Sequence, residues 1–140
     1  MCKKICIIDG QGGGIGATLI KYLFDPSNTH IELIALGTNA IATTQMLKAG
    51  ANKGASGESA ICKTLATADY ILGPVAVSWP NAMLGEVTAK IAESVTSSPA
   101  FKIFIPLSQE NILIIGINTE PLPHLVQEAV DKIKEEIQNV

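Results

Sequence analysis

An α/β fold in three layers, with a mostly parallel sheet between layers of helix, is what this sequence predicts, and three observations lead to it. Four consecutive apolar residues, Ile5, Cys6, Ile7 and Ile8, stop at Asp9 and a cluster of glycines, which is how a strand buried on both faces of a parallel sheet reads. Strand-like and helix-like stretches then alternate with short turn signals between them, as successive right-handed crossovers require. Hydrophobic residues make up 47% of the 140 and aromatic residues only 4%, so the apolar bulk is Ile, Leu, Val and Ala, side chains that suit a sheet covered by helices. Together these make the expected fold Rossmann-like, and a length near that of one ordinary domain makes residues 1–140 a single unit.

The first helix follows the glycines, with Ile15, Leu19, Ile20 and Leu23 at helical spacing, and ends where Asp25, Pro26, Ser27 and Asn28 bring turn chemistry. Residues 31–36 resume as a strand. Gly37, Thr38 and Asn39 then lead into a second helix over about 40–49, with Thr38 or Asn39 as its N-cap. Residues 50–57 are glycine-rich and polar and read as a connection, and 58–68 read as a modest helix whose apolar stripe is mostly alanine. Tyr70, Ile71 and Leu72 make a short strand closed by Gly73 and Pro74. Met83, Leu84, Val87, Ile91 and Val95 line one face of a helix expected to start near Asn81 and to stop at Ser97, Ser98 and Pro99. Two apolar runs, 102–107 and 111–117, are too close for a crossover helix, so they are expected to pair as an antiparallel C-terminal hairpin that makes the sheet mixed. Pro121 and Pro123 open the last helix. Its stripe of Leu122, Leu125, Val126, Ala129, Val130, Ile133 and Ile137 opposes a charged face of Glu128, Asp131, Lys132, Glu135 and Glu136.

The formal charge is −3 and all ten basic residues are Lys, so there is neither a basic field for nucleic acid nor a guanidinium fork for bidentate phosphate recognition. DNA and RNA are not expected partners. The longest strongly apolar run, 112–117, is far short of the ~20 residues of a membrane-spanning helix. Residues 1–8 carry lysines but lack the apolar region of a signal peptide, so no membrane is expected and the compartment is read as the cytoplasm. Three cysteines without a paired framework fit a reducing environment. Cys2 and Cys6 have neither CxxC spacing nor later His or Cys partners, so no metal site is expected.

The strongest local signal is Asp9, Gly10, Gln11, Gly12, Gly13, Gly14, Ile15 and Gly16, which puts five of the 12 glycines between a buried strand and a helix start. Without side chains, backbone N–H groups approach an anion closely, and the positive end of the following helix favours its charge. Phosphate is the natural guest, since packing alone would need fewer glycines. Gly10, Gly14 and Gly16 fit GxxxGxG, and the turn resembles the cofactor loop of short-chain dehydrogenases, whose members bind nicotinamide dinucleotides. The YxxxK pair of those enzymes is absent, because neither Tyr22 nor Tyr70 has Lys four positions later, and that class is excluded. The Walker pattern GxxxxGK[ST] is absent as well. A dinucleotide fold also places Asp or Glu at the end of the second strand for the ribose. Gly37, Thr38 and Asn39 stand there instead, small enough and polar enough to contact a phosphate or a ribose, though the missing carboxylate counts against NAD and the missing basic residue against NADP.

Ligands of open α/β sheets sit at the carboxyl ends of strands, near a reversal in strand order. That adds Gly73, Pro74 and Asn81 to the ligand-binding candidates, with Ser56, Gly57, Glu58, Ser78 and Glu86 as further polar residues after strands, each serviceable as an ordinary helix cap. Asp9 and Glu86 are a candidate acid and base, but no catalytic residue is assigned. His124, in the first turn of the last helix, is a candidate ligand contact, although a lone His there is more often a surface or packing residue. Trp79, beside Pro80, suits a pocket cover, a subunit contact or the core.

Taken in order, IDGQGGGIG at 8–16, ALGTNA at 35–40, AGAN onward to Glu58, GPV at 73–75, MLGE at 83–86 and EPLPHL at 120–125 resemble a small bacterial family catalogued as a domain of unknown function, DUF3842, over nearly the whole chain. The resemblance implies one Rossmann-like domain and supplies no substrate. Three functional readings follow. The first is a protein that binds a nucleotide, a dinucleotide or another phosphate-bearing small molecule at the glycine turn. The second is a small enzyme acting on a phosphorylated metabolite. The third is a homo-oligomeric interaction module that docks through the hairpin edge and the last helix without a ligand.

Overall fold

The computed structural model describes residues 2–117 and 120–138. Its first strand, β1 (Lys3–Asp9), leads through the glycine turn to α1 (Gly14–Leu23), and the next unit is β2 (Ile31–Gly37) with α2 (Ala40–Lys48). A short β3 (Lys53–Ser56) and α3 (Glu58–Leu65) follow, then β4 (Tyr70–Pro74), α4 (Ala89–Ser97), β5 (Phe101–Ile105) and α5 (Leu122–Gln138). The sheet has five strands in the order β3-β2-β1-β4-β5, and every neighbouring pair is parallel. That is the Rossmann-like order, in which the chain steps outward from β1 to β3 and then returns through α3 to the other side of β1.

The alternation of side chains along β1 divides the core. Ile5 and Ile7 pack with Leu19 and Ile20 of α1, Ala42 and Met46 of α2, and Val126 and Ile133 of α5. Cys6 and Ile8 point the other way, onto Ile61 and Leu65 of α3 and Ile91 and Val95 of α4. The three layers are therefore α1, α2 and α5, then the sheet, then α3 and α4, and each fully buried Ile or Leu contributes about 1.5–3 kcal/mol. Two helices start on side-chain caps, Asn39 accepting from the Ala42 N–H at 2.9 Å and Thr88 from the Ile91 N–H at 3.2 Å, each worth about 1 kcal/mol.

The antiparallel hairpin does not form. Residues 111–117 are exposed and lie in no strand, and β5 is the outer strand of an all-parallel sheet. Pro106 follows β5 and removes a ladder donor, while Gly116 at φ 92 breaks an extended backbone. Gly116, Ile117 and Glu120 flank the same groove as Phe104, Ile105 and Leu125, so the segment leaves the end of β5 and returns beside it to begin α5. A second departure lies before α4. The helix expected from Asn81 begins only at Ala89, because Asn81, Met83, Leu84 and Gly85 have φ of 67, 57, 57 and 93, a left-handed run that no α-helix can contain. The polar connection after α2 also holds a strand, β3, four mostly exposed residues on the sheet edge.

Among the described residues no helix is long and apolar enough to cross a membrane, and no cluster of three or more His, Cys, Asp and Glu could hold a metal. Cys2 is exposed, Cys62 half-buried and Cys6 buried, and burial pushes the Cys6 thiol up to about 12, which makes it an inert core side chain.

Candidate functional site

Asp9 ends β1 with a side chain that is only 4% exposed. Its carboxylate turns back under the glycine turn, Oδ1 accepting from the Gly10 N–H at 2.8 Å and Oδ2 from the Gly16 N–H at 2.7 Å. Gly16 is the third residue of α1, so Asp9 acts from the preceding strand as the cap that Gly13 cannot supply. Burial pushes the Asp9 pKa up. The amides of Gly16, Gly10 and Ile15 oppose that rise, and the nearby charge of Glu86 adds to it.

The five glycines fall into two groups. A Cβ at Gly13, whose φ is 73, would lie 2.9 Å from the Cα and carbonyl oxygen of Ala42. One at Gly16 would lie 2.5 Å from Met46 Sδ and 3.0 Å from Asp9 Cβ. One at Gly10 would lie 2.5 Å from Thr38 Oγ1 and 2.6 Å from Met83 Sδ. These three are required by close packing. Gly12 and Gly14 have nothing within 4 Å of that position and no left-handed φ. Their amides differ in the same way. The Gln11 N–H donates to Glu86 Oε1 at 2.8 Å and the Gly13 N–H to the Gly10 carbonyl at 2.9 Å, whereas the Gly12 and Gly14 N–H groups have no acceptor among the described residues.

Glu86 closes the side of the turn that faces β2. Besides the Gln11 amide, its Oε1 accepts from Thr38 Oγ1 at 2.7 Å and from Asn39 Nδ2 at 2.8 Å, and Asn39 Nδ2 also donates to the Gln11 carbonyl at 3.0 Å. Partial burial pushes the Glu86 pKa up, but these three donors outweigh it and hold the carboxyl below its ordinary value.

On the other side a cleft of about 280 Å³ opens between the ends of β1 and β4, where the strand order reverses. Of the sequence candidates, Asp9, Gly10, Gln11, Gly12, Gly13, Gly14, Ile15 and Pro74 line it, together with Ala76, Met83, Leu107, Ser108, Gln109 and Glu110. The remaining candidates stand elsewhere. Gly16 and Gly37 serve packing, the latter leaving room for Thr43 Oγ1 and the Asn39 carbonyl. Thr38 and Asn39 hold Glu86, and Gly73 is buried in β4 against the Ile8 carbonyl. Asn81 is exposed in the left-handed turn, with its N–H donating to the Val87 carbonyl at 2.6 Å. His124 is exposed on α5 away from the cleft, and Trp79 is half-buried against the α3–α4 core. Met83 was hidden by its helix-like spacing and 107–110 by the hairpin pattern. Ala76 carries no side-chain signal, though its place just after Pro74 at a strand end is the cue that finds it.

Among solved structures, one similar chain is apo histidine-tagged saccharopine dehydrogenase (L-Glu forming) from Saccharomyces cerevisiae, 20% identical with a TM-score of 0.43, matched over 69% of this chain and 19% of that one. The present chain thus spans less than a quarter of that enzyme's length. A search of curated proteins finds no match. The model of one family covers residues 4–138, nearly the full sequence, and the protein belongs to that family, described as Domain of unknown function (DUF3842).

Proposed function

We propose that the protein binds a nucleotide or another phosphate-bearing small molecule in the cleft between β1 and β4, with the phosphoryl group on the amides of Gly12 and Gly14. The observation that carries this reading is that these two glycines are free of any packing or dihedral demand, carry the unclaimed N–H groups of the turn and face the cleft. Main-chain donors at a helix start hold phosphate without a lysine, and none lines this cleft. The site is narrower than five glycines suggest, because Asp9, Glu86 and the Gly10 carbonyl already occupy the amides of Gly10, Gln11, Gly13 and Gly16. No reaction is assigned, since both carboxylates at the turn are spent on N–H and O–H donors.

Amide NMR titration with NAD, NADP, ATP, GTP and sugar phosphates tests it, on the wild type and on Gly12→Ala and Gly14→Ala. At least one compound should move the Gly12 and Gly14 resonances. It should lose about tenfold or more in affinity, roughly 1.4 kcal/mol, in either variant, while both variants stay folded because the added methyl meets open space. No shift across the panel, or full affinity in both variants, overturns the reading.

A second reading, association with another copy of this chain, is favoured by one feature. Ile112, Leu113, Ile114, Ile115 and Ile117 are 50%, 85%, 40%, 86% and 42% exposed, beside an outer strand whose Phe101 is 49% exposed and a groove of about 440 Å³ along Ile103–Pro106 and α5. Six such side chains offer roughly 500 Å² per protomer, and a symmetric pair then buries about 1,000 Å², near the lower bound for a specific interface. Light scattering across a range of protein concentrations tests it.

A further inference from the structure

We propose that Glu86 and Met83 fill the half of this site where a dinucleotide's second nucleoside would lie, so that the ligand enters from the β4 side and carries a single nucleoside or sugar. The inference rests on the phosphate-binding reading and names its ligand class. In a site built on this strand order, a dinucleotide lies across the reversal, one nucleoside toward the end of β2 and the other toward β4, with the pyrophosphate over the turn. The β4 half is open here. The β2 half is occupied by the protein itself.

Three observations support the occupation. A Cβ at Gly10 would lie 2.6 Å from Met83 Sδ and 3.1 Å from Glu86 Oε1, so these two side chains already cover the backbone that a ribose would approach. The donors that a ribose or phosphate would use there, the Gln11 N–H, Thr38 Oγ1 and Asn39 Nδ2, all converge on Glu86 Oε1. No residue from the end of β2 lines the cleft. The segment that carries the two side chains is anchored as well. Met83 is 8% exposed and Val87 fully buried, and the turn is tied by Asn81 N–H to Val87 carbonyl, Glu86 N–H to Met83 carbonyl and Val87 N–H to Ala82 carbonyl bonds at 2.6, 3.2 and 3.1 Å. A carboxylate thus stands at the end of β2 after all, delivered from the β4–α4 connection, and it takes up the ribose position.

The test compares AMP, ribose 5-phosphate and NAD as probes in amide NMR and calorimetric titrations. In the wild type, AMP or ribose 5-phosphate should move Gly12 and Gly14 and leave Thr38 and Asn39 in place, and NAD should bind about tenfold more weakly than the better of the two. In the double variant Glu86→Ala, Met83→Ala, NAD should gain about tenfold relative to that compound, with shifts reaching Thr38 and Asn39. Glu86→Gln keeps the bulk and one acceptor oxygen and should keep the wild-type ratio. NAD binding the wild type as tightly as the smaller compounds, with Thr38 and Asn39 moving, overturns the inference alone, as does an unmoved ratio in the double variant. Silence of Gly12 and Gly14 toward every compound overturns the binding reading and this inference with it.

Discussion

At Gly13 the turn has no room for a side chain, because its backbone lies against the start of α2 and its φ of 73 suits glycine. Gly13→Ala therefore meets a left-handed penalty of about 1–2 kcal/mol and an overpacking cost of about 1–3 kcal/mol. Urea unfolding should show a loss of about 2–5 kcal/mol, whereas Gly14→Ala, at the first position of α1, should be neutral or gain up to about 1 kcal/mol. Equal effects would mean that the two glycines do not differ as described. The pKa values of the two carboxylates at the turn are displaced in opposite directions. Glu86 has a folded pKa below its ordinary 4.5, so its hydrogen bonds stabilise the fold above that value and the contribution is lost as the pH falls through the folded pKa. Asp9, raised by burial, contributes stability that is present below 3.8 and lost as the pH rises through its folded value. The stability gap between wild type and Glu86→Gln should accordingly be open at pH 7 and close as the pH drops well below 4.5. A gap independent of pH would show that the carboxylate is not held by Gln11, Thr38 and Asn39.

At the scale of elements, what the sequence made legible depended on how deeply each element is buried. β1, β2, α1 and α5 press apolar faces into the core, and the resulting apolar runs and helical spacing mark them, whereas α2, whose Ile41 and Leu47 are exposed, was marked by its cap. β3 is a polar, mostly exposed edge strand that exists by pairing with β2 and has no pattern of its own. The turn before α4 misled for the opposite reason. Met83 and Val87 are buried at helical spacing, but Leu84 between them is 99% exposed and left-handed, so the spacing records two inward anchors of a loop. Residues 111–117 misled because apolar, β-branched composition is a strand signal whether or not a neighbouring edge is available. Their exposure yields an element-scale prediction: wild-type protein should associate as its concentration rises, and Leu113→Lys with Ile115→Lys should hold it monomeric without loss of Tm, since neither side chain is part of the described core. A wild type that stays monomeric at high concentration removes the association reading.

For the whole molecule, the sequence pointed to the glycine turn and to Pro74 but not to the strand order, since which strands become neighbours is decided by contacts far apart in the chain. It therefore showed one wall of the cleft, and the rest, Ala76, Met83 and 107–110, only came into view once β4 and β5 were laid beside β1. The same distance between partners explains why Glu86 could not be matched to its role. It is 75 residues from Gln11 and 48 from Thr38, and nothing in its own neighbourhood marks it as their acceptor.

Asp9 reaches across the turn to the amide of Gly16, which ties the opening of α1 to the central strand of the sheet. Helix starts usually fray, and this bond couples the start of α1 to the middle of the molecule. On the proposed phosphate-binding reading, a guest would meet a floor already set in its final shape, so that little chain freedom would be surrendered on docking and selectivity would follow from fit rather than from rearrangement.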